Sequence, residues 1–380
     1  MTKFKIDLKT KIIAADTDVY LARAGKRGHL FEQVLATKAI GPDLPDLGID
    51  LTNGFDSEKN LVAKINRARS LSRWIQGPAA SRGDQPSKNL GDYDNEKKRS
   101  GHAQIEGIVK TYFKDMKAGD VLIIPNPALF GEAILAEVLP LGSHPQSIPG
   151  VKRYEGFEFQ GRKFGHFKKV RMMDLPRAVI ELARAPTGLA KIADKRVKNR
   201  IFEMCFTDFS MDDVFSSQII TTKPEFHPFD ANVLNAFVRM IAQNVELLQN
   251  DGDDAQLKSL VEAAFVTGVE GPSVKININS PGHLAIIDRS IVPLVTGAVL
   301  GILVSVGFDA QAIAQTAVEV EVTNSRIDAA LDVCSEEVGR LTENMLRFLP
   351  KAENEFKQTC DLLRQTHEAT GASSNVIVEK

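Results

Sequence analysis

The sequence contains little cysteine and tryptophan, and its charges almost balance. Three cysteines, Cys205, Cys334 and Cys360, are spread over 380 residues, and none belongs to a CxxC pair. This spacing argues against a disulfide framework and a zinc site, and it predicts a reducing, cytoplasmic setting. The formal net charge of −2 gives no overall attraction to nucleic acid. Any such binding therefore requires a local basic patch.

Sequence motifs of enzyme chemistry are also missing. The 7 histidines show no HxH or HExxH spacing, and the chain has no GxSxG, no GxxxxGKS and no PD-(D/E)xK nuclease core. The acidic pairs Glu319/Glu321 and Glu336/Glu337 are interpreted as solvated faces of an exposed helix. We therefore expect a non-catalytic protein with no metal ion and no cofactor.

The most informative stretch is residues 105–138. Apolar residues recur at three- and four-residue steps over 105–113 and predict a helix that ends at Gly119. The β-branched run 121–124 predicts a buried strand, and a Pro-Asn-Pro turn leads to a second strand over 130–138. Asp120 is interpreted as a cap of the preceding turn. These elements predict a compact α+β core.

Three segments in this order carry a family resemblance. They are VYLARAG at 19–25 followed by GHLF at 28–31, the GD-VLII-P pattern at 119–125 followed by AILAEV at 133–138, and HFKKVR at 166–171 followed by DLP at 174–176. Together they resemble the PUA-like barrel and, more closely, the EVE-like domain at the N-terminus of Mrr-type restriction proteins. The resemblance covers roughly residues 17–194.

The resemblance implies an α+β fold in which a PUA/EVE-like β-barrel domain is followed by a mostly α-helical domain. We expect residues 1–200 to form the recognition domain, with the polar stretch 77–101 as a flexible insert or lid. Residues 201–380 would form a helical oligomerisation or effector domain. The family resemblance further implies recognition of nucleic acid or a modified base by the sensor of a bacterial defence system, since no nuclease core follows.

A basic stripe lies between residues 152 and 171, and aromatic residues are interleaved with its cations. Cations neutralise phosphates and aromatic faces stack on bases, so this mixture suits a nucleic-acid groove. The alternative is that the aromatic residues point into a core while the cations are solvated. The cations are Lys152, Arg153, Arg162, Lys163, Lys168, Lys169 and Arg171.

Trp74, the only tryptophan, lies at the end of a predicted helix just before the insert. PUA-like and EVE-like domains often hold a modified base in an aromatic cage. This resemblance implies that Trp74 is a wall of such a pocket, with Arg23 nearby. The alternative is an ordinary core tryptophan.

The second half contains an apolar run, 291–308, without any charged residue. Its length is close to the minimum for a membrane span, and Gly297 and Gly301 form a GxxxG motif. The alternative is a buried helix of an oligomeric bundle. The sequence further predicts a linker over 206–229 and a long amphipathic helix over 309–349 that is suited to self-association or to a partner protein.

The sequence therefore predicts a non-catalytic reader of DNA or a modified base that self-associates through its C-terminal helices. One alternative is a membrane-associated defence effector that senses a small nucleotide-like ligand. Another is a structural adaptor whose basic stripe does not bind nucleic acid.

Overall fold

The computed structural model describes residues 2–57, 60–78, 83–149, 156–223, 226–250, 257–265, 271–277, 282–314, 318–326, 332, 334–348 and 353–379. The fold is mixed α+β, which confirms the predicted class, and one of its sheets is a curled half-barrel. The chain divides into two compact units. We call residues 16–205 the inserted unit, and residues 1–15 together with 206–380 the terminal unit.

The helices and strands follow one another along both units. The helices are α1 (Phe31–Thr37), α2 (Leu61–Gln76), α3 (His102–Lys110), α4 (Arg177–Arg184), α5 (Lys195–Cys205), α6 (Pro228–Gln249), α7 (Leu260–Phe265), α8 (Val292–Ser305), α9 (Ala310–Ala314), α10 (Ser335–Phe348) and α11 (Glu353–Thr370). The strands are β1 (Thr2–Asp7), β2 (Lys11–Ile13), β3 (Val19–Ala22), β4 (Ala39–Ile40), β5 (Val121–Ile124), β6 (Glu132–Val138), β7 (Gln146–Ser147), β8 (Gln160–Arg171), β9 (Leu189–Lys191), β10 (Phe209–Met211), β11 (Val214–Thr221), β12 (Ser273–Asn277), β13 (Gly282–Asp288), β14 (Val318–Thr323), β15 (Ser373–Ser374) and β16 (Ile377–Glu379).

The inserted unit is built on one sheet with the strand order β4-β8-β6-β5-β3-β9, and β7 pairs with β8. Strands β3 and β5 are parallel, so the chain must cross over between them, and α1, α2 and α3 lie in that connection. Alternate strand residues such as Tyr20, Leu122 and Phe164 join a core that also contains Ile65 and Leu71 of α2.

The predicted order of helix, GD turn, strand, proline turn and strand is present between α3 and β6. Helix α3 ends in a π-helical turn, Thr111–Asp115, before the chain enters β5. Asp120 accepts hydrogen bonds from the backbone N–H groups of Asp18 and Lys117, each at 2.8 Å. Its role as a cap of this turn, predicted from the sequence, is therefore confirmed.

The first strand of the chain belongs to the terminal unit and not to the predicted 1–200 domain. Strand β1 lies between β14 and β16, parallel to the former and antiparallel to the latter. Its alternating Phe4 and Ile6 are buried in the core of that unit, each 1% exposed. The pairing partners lie at the other end of the chain, so local sequence could not reveal them.

The prediction of a mostly helical second half was wrong, because the terminal unit contains two sheets as well as helices. Strands β10 and β11 occupy the predicted linker, and β14 interrupts the predicted helix over 309–349. The β14 sequence, VEVEVT, has a period of two and is rich in β-branched residues, which favours a strand. Glu319 and Glu321 lie on this strand, 3.2 and 2.9 Å from the ammonium of Lys3.

The apolar run 291–308 forms α8, a helix buried in the core of the terminal unit. A Cβ at Gly297 would lie 3.0 Å from Ser217 Oγ, and a Cβ at Gly301 would lie 3.1 Å from Ser374 Oγ. The GxxxG motif therefore lets β11 and β15 approach the helix closely. Among the described residues, no helix is both long enough and apolar enough to cross a membrane.

Asp208 is a buried carboxyl group in the terminal unit, only 2% exposed. Its Oδ1 accepts a hydrogen bond from Ser217 Oγ at 2.6 Å and another from the backbone N–H of Gln218 at 3.1 Å. Burial raises the pKa of Asp208 to about 6, although these hydrogen bonds, Asn375 and Arg326 act in the opposite direction. The carboxylate is therefore costly to bury at neutral pH.

We expect Asp208→Asn to remove a pH dependence of folding stability. Between the ordinary pKa of 3.8 and the folded value of about 6, the folded state retains a proton that the unfolded state releases, so wild-type stability falls as pH rises through this window. The unfolding free energy of the wild type should fall by about 2 kcal/mol between pH 4.5 and pH 7.5, and that of the variant should not show this fall. Urea denaturation at pH 4.5 and 7.5 measures both values.

The matched control is Asp213→Asn, which changes an exposed carboxylate 3.7 Å from Arg289. This variant should keep the wild-type pH dependence. If the unfolding free energies of the wild type and of Asp208→Asn depend equally on pH, the raised pKa of Asp208 is contradicted.

Candidate ligand-binding site

Helix α2 turns its apolar residues toward the core and its polar residues toward the insert. Ile65, Ala68, Leu71 and Ile75 are buried at helical spacing. The opposite side carries donors that bond to backbone carbonyls of residues 83–100. These bonds are Asn66 Nδ2 to Lys97 O at 3.3 Å, Arg67 Nη1 to Lys88 O at 3.1 Å, Arg69 Nη2 to Ser100 O at 2.8 Å and Trp74 Nε1 to Gly83 O at 2.8 Å.

The insert, predicted as a flexible lid, is therefore attached to α2 over much of its described length. Its own side chains add further links. Arg99 donates to Ser70 Oγ at 2.8 Å and to both carboxylate oxygens of Glu96 at 2.6 and 2.8 Å. The buried Tyr93 donates its hydroxyl hydrogen to Ser87 O at 3.0 Å. Residues 79–82 of the predicted insert lie outside the described part of the chain.

A cavity of about 370 Å³ lies between the C-terminal turns of α2 and the insert. This volume is within the range of small-molecule sites in proteins. The indole and two proline rings supply apolar walls, and a hydroxyl and a guanidinium supply polar groups. The lining residues are Ser70, Arg73, Trp74, Gly77, Pro78, Gly83 and Pro86.

Three guanidinium groups lie close together beside this cavity. Burial lowers the pKa of Arg69, and the nearby positive charges of Arg73 and Arg99 lower it further. Arg99 is paired with Glu96, whereas the exposed Arg73 makes no ion pair with any described residue. An anionic group bound at Arg73 would reduce this mutual repulsion.

Trp74 lies between the core of the inserted unit and the cavity. Its ring packs partly against the core of the inserted unit, and it also lines the cavity. The hydrogen bond from Nε1 to Gly83 O orients the ring. One face of an oriented indole next to a cation is a suitable stacking surface for a planar, negatively charged ligand.

Arg23 was predicted to lie near Trp74, but its contacts are with a different element. Its Nη2 donates to the carbonyl oxygen of Ala183 in α4, and its backbone N–H donates to Gly188 O at 2.9 Å. Burial lowers the pKa of Arg23. The residue therefore satisfies carbonyl groups at the C-terminal end of α4 and is not part of the cavity lining.

The basic stripe falls mainly on β8, and the alternation of that strand divides it. Arg162 is only 3% exposed, and its guanidinium donates to Leu139 O at 3.2 Å and Tyr112 O at 3.4 Å. Burial lowers the pKa of both Arg162 and the partly buried Lys168. Arg162 therefore stabilises backbone carbonyls inside the unit and is not available to a nucleic-acid groove.

The remaining cations of β8, Lys163, Lys169 and Arg171, are exposed. A register shift in β8 between Phe164 and Phe167 puts Lys163 on the face opposite to that of Lys169 and Arg171. Lys169 lies 3.7 Å from Glu132, and Arg171 bonds to both carboxylate oxygens of Asp174 at 2.8 and 2.9 Å. Lys163 makes no ion pair within the described part of the chain. The described part of the predicted stripe is thus divided between two faces, and its two cations on one face lie beside carboxylates, while Lys152 and Arg153 lie outside the described residues.

The cations beside the cavity were not predicted from the sequence. Arg69, Arg73 and Trp74 stand in the segment NRARSLSRW, where the four-residue step from Arg69 to Arg73 places both on one side of a helix. That spacing was the available signal. Arg99 could not be found in this way, because only the path of the insert brings it to α2.

Among the residues that the structure describes, no group of three or more His, Cys, Asp or Glu side chains could hold a metal ion. Comparisons with protein-family models, with curated proteins and with solved structures gave no match.

Arg162 and Lys163 are adjacent in β8 but differ in burial, so substituting each of them tests the positions that the structure gives to these two side chains. Arg162→Ala should lower the unfolding free energy by about 2–4 kcal/mol, because it removes the donor to the buried carbonyl of Tyr112 and the partly buried carbonyl of Leu139 and opens a cavity. Lys163→Ala should change it by no more than about 0.5 kcal/mol. Urea denaturation of both variants measures the difference, and similar small effects would contradict the buried position of Arg162.

Proposed function

We propose that the inserted unit recognises nucleic acid by holding one base in the cavity beside Trp74. The observation that carries the proposal is the presence in one cavity of about 370 Å³ of an oriented indole, Trp74, and a guanidinium, Arg73, that makes no ion pair with any described residue. The indole stacks on the base, and Arg73 neutralises the phosphate attached to it. No catalytic step is involved.

The stacking contact and the charge contact differ in how they depend on base sequence and on salt. Stacking of a base on an aromatic ring contributes about 1–3 kcal/mol and depends little on sequence. The charge contact at Arg73 contributes affinity that weakens as salt displaces it. Lys163 supplies a second, non-specific phosphate contact. Selectivity for a modified base would come from the walls of the cavity formed by Pro78, Pro86 and Ser70.

The motifs between residues 17 and 194 support a more specific assignment. They resemble motifs of PUA-like and EVE-like domains, and the curled sheet with helices packed on it is compatible with this resemblance. On this basis the protein is the sensor of a restriction-like bacterial defence system. The terminal unit then couples recognition to a second copy of the chain or to a partner effector.

A second candidate is the sensing of a free nucleotide-like ligand. The limited volume of the cavity favours it, because a mononucleotide would occupy most of that space. The two functions use the same residues and differ in whether the ligand belongs to a polymer.

Binding of a labelled single-stranded oligonucleotide, measured by fluorescence anisotropy, tests the proposal. Trp74→Ala should weaken binding about tenfold or more, because it removes the stacking surface. Trp74→Phe keeps an aromatic face and should stay within about threefold of the wild type. Arg73→Gln should weaken binding and make it less dependent on salt.

The matched control is Arg347→Gln, which alters an exposed arginine paired with Glu343 in the terminal unit. It should bind like the wild type. Competition with mononucleotides separates the two candidates, since a free nucleotide that competes at equal affinity identifies the small-ligand function. If the Trp74→Ala variant binds the oligonucleotide and the mononucleotides as tightly as the wild type does, both candidate functions are refuted.

A further inference from the structure

The loop between β5 and β6 projects a large apolar side chain into solvent. Phe130 is 87% exposed and its neighbour Leu129 is 37% exposed. Isolated exposed leucines are common, but an almost fully exposed phenylalanine is unusual. This loop lies far in sequence from the cavity residues and takes no part in the cavity lining.

Hydrogen bonds within the loop fix its path. Asn126 Oδ1 accepts from Ala128 N at 2.9 Å, and Asn126 Nδ2 donates to Glu132 O at 3.2 Å. Gly131 N donates to Ala128 O at 2.9 Å. Phe130 is therefore held in its exposed position by an ordered turn.

A cationic loop packs against one side of this turn. A Cβ at Gly28 would lie 2.8 Å from Pro127 Cβ, so the two loops are in close contact. The exposed Lys26 and Arg27 make no ion pair with any described residue. Arg27 has a φ of 58°, a left-handed conformation that non-glycine residues rarely adopt. Backbone strain of this kind is concentrated at functional sites.

A further exposed apolar residue directly follows a backbone contact to this turn. The N–H of Met172 donates to Gly131 O at 3.0 Å, and the next residue, Met173, is 58% exposed. We call Leu129, Phe130 and Met173 the apolar prong. Arg171, at the end of β8, is opposite Glu132 in the sheet, but its guanidinium is bound by Asp174, so the cations that the prong has beside it are Lys26 and Arg27.

We propose that the apolar prong contacts double-stranded nucleic acid and that Phe130 inserts between adjacent bases, while Lys26 and Arg27 bind the flanking phosphates. The inference rests on the proposed function. A base inside a duplex is stacked and paired, so it cannot enter a cavity until the stack is opened. An apolar wedge opens a base step at a cost of a few kcal/mol, which the phosphate contacts offset.

A lipid surface is the other partner that an exposed apolar tip with cations could contact. The prong offers a single projecting ring and two smaller side chains, which matches the gap at one base step. Stable attachment to a bilayer requires a larger apolar face or an attached lipid chain. The free cations also complement phosphates spaced along a nucleic-acid backbone. The observations therefore favour a duplex.

The experiment uses the full-length protein and a DNA duplex that contains 2-aminopurine, whose fluorescence rises when it is unstacked. The wild type should raise this fluorescence severalfold at saturation. Phe130→Ala should bind the duplex at least tenfold more weakly and give little increase. Because Phe130 is almost fully exposed, the substitution should leave the fold intact. Phe229→Ala, at a phenylalanine that is 55% exposed in the terminal unit, is the matched control and should behave like the wild type.

Mononucleotide binding by the same variants separates the two proposals. Phe130→Ala should bind mononucleotides as the wild type does. If it also binds and unstacks the duplex as the wild type does, the wedge is refuted while the cavity function stands. If the wild type binds neither mononucleotide nor DNA, both proposals fail. A lipid contact would give another result. The wild type would bind vesicles of phosphatidylcholine and phosphatidylserine, and Phe130→Ala would lose this binding but keep duplex binding, which would refute the wedge.

Discussion

The candidate site depends on hydrogen bonds from side chains of α2 to the backbone of the insert. The insert has almost no apolar residues, so it cannot become ordered by burying a core of its own. Donors from Asn66, Arg67, Arg69 and Trp74 supply the missing interactions, because they satisfy carbonyl groups that water would otherwise bind. The same helix packs its apolar side on the sheet. One element thus links the core to the cavity, and the cavity exists only where the insert rests on this helix.

This arrangement concentrates positive charge where a ligand can use it. Arg69 and Arg99 are held by carbonyl, hydroxyl and carboxylate oxygens, whereas Arg73 makes no ion pair with any described residue. On β8 most of the predicted cations are not available to a ligand, since Arg162 is buried and Lys169 and Arg171 lie beside carboxylates. A count of cations along the sequence therefore overstated the basic stripe and missed the cavity. What matters for binding is the number of cations without a partner.

Sequence patterns predicted the local elements of the inserted unit well, because their signals are local. The helix before Gly119, the strand 121–124 and the capping role of Asp120 follow from periodicity, a glycine and a β-branched run. The terminal unit was predicted poorly, since β1 and β14 pair across almost the whole chain and a helical period was assigned to VEVEVT. At the site, Trp74 was identified, whereas the position of Arg99 depends on the path of a loop and the burial of Arg162 on tertiary packing.

The most direct test of the central claim uses the tryptophan itself. Trp74 is the only tryptophan in the chain, so its fluorescence reports on the cavity without any label. The wild-type protein would be titrated with nucleoside monophosphates and, as a control without a base, with ribose 5-phosphate. The account predicts saturable quenching by the nucleotides, little quenching by the sugar phosphate and weaker binding in Arg73→Gln. Emission that stays constant up to millimolar nucleotide would contradict the claim that Trp74 and Arg73 form a base-binding site.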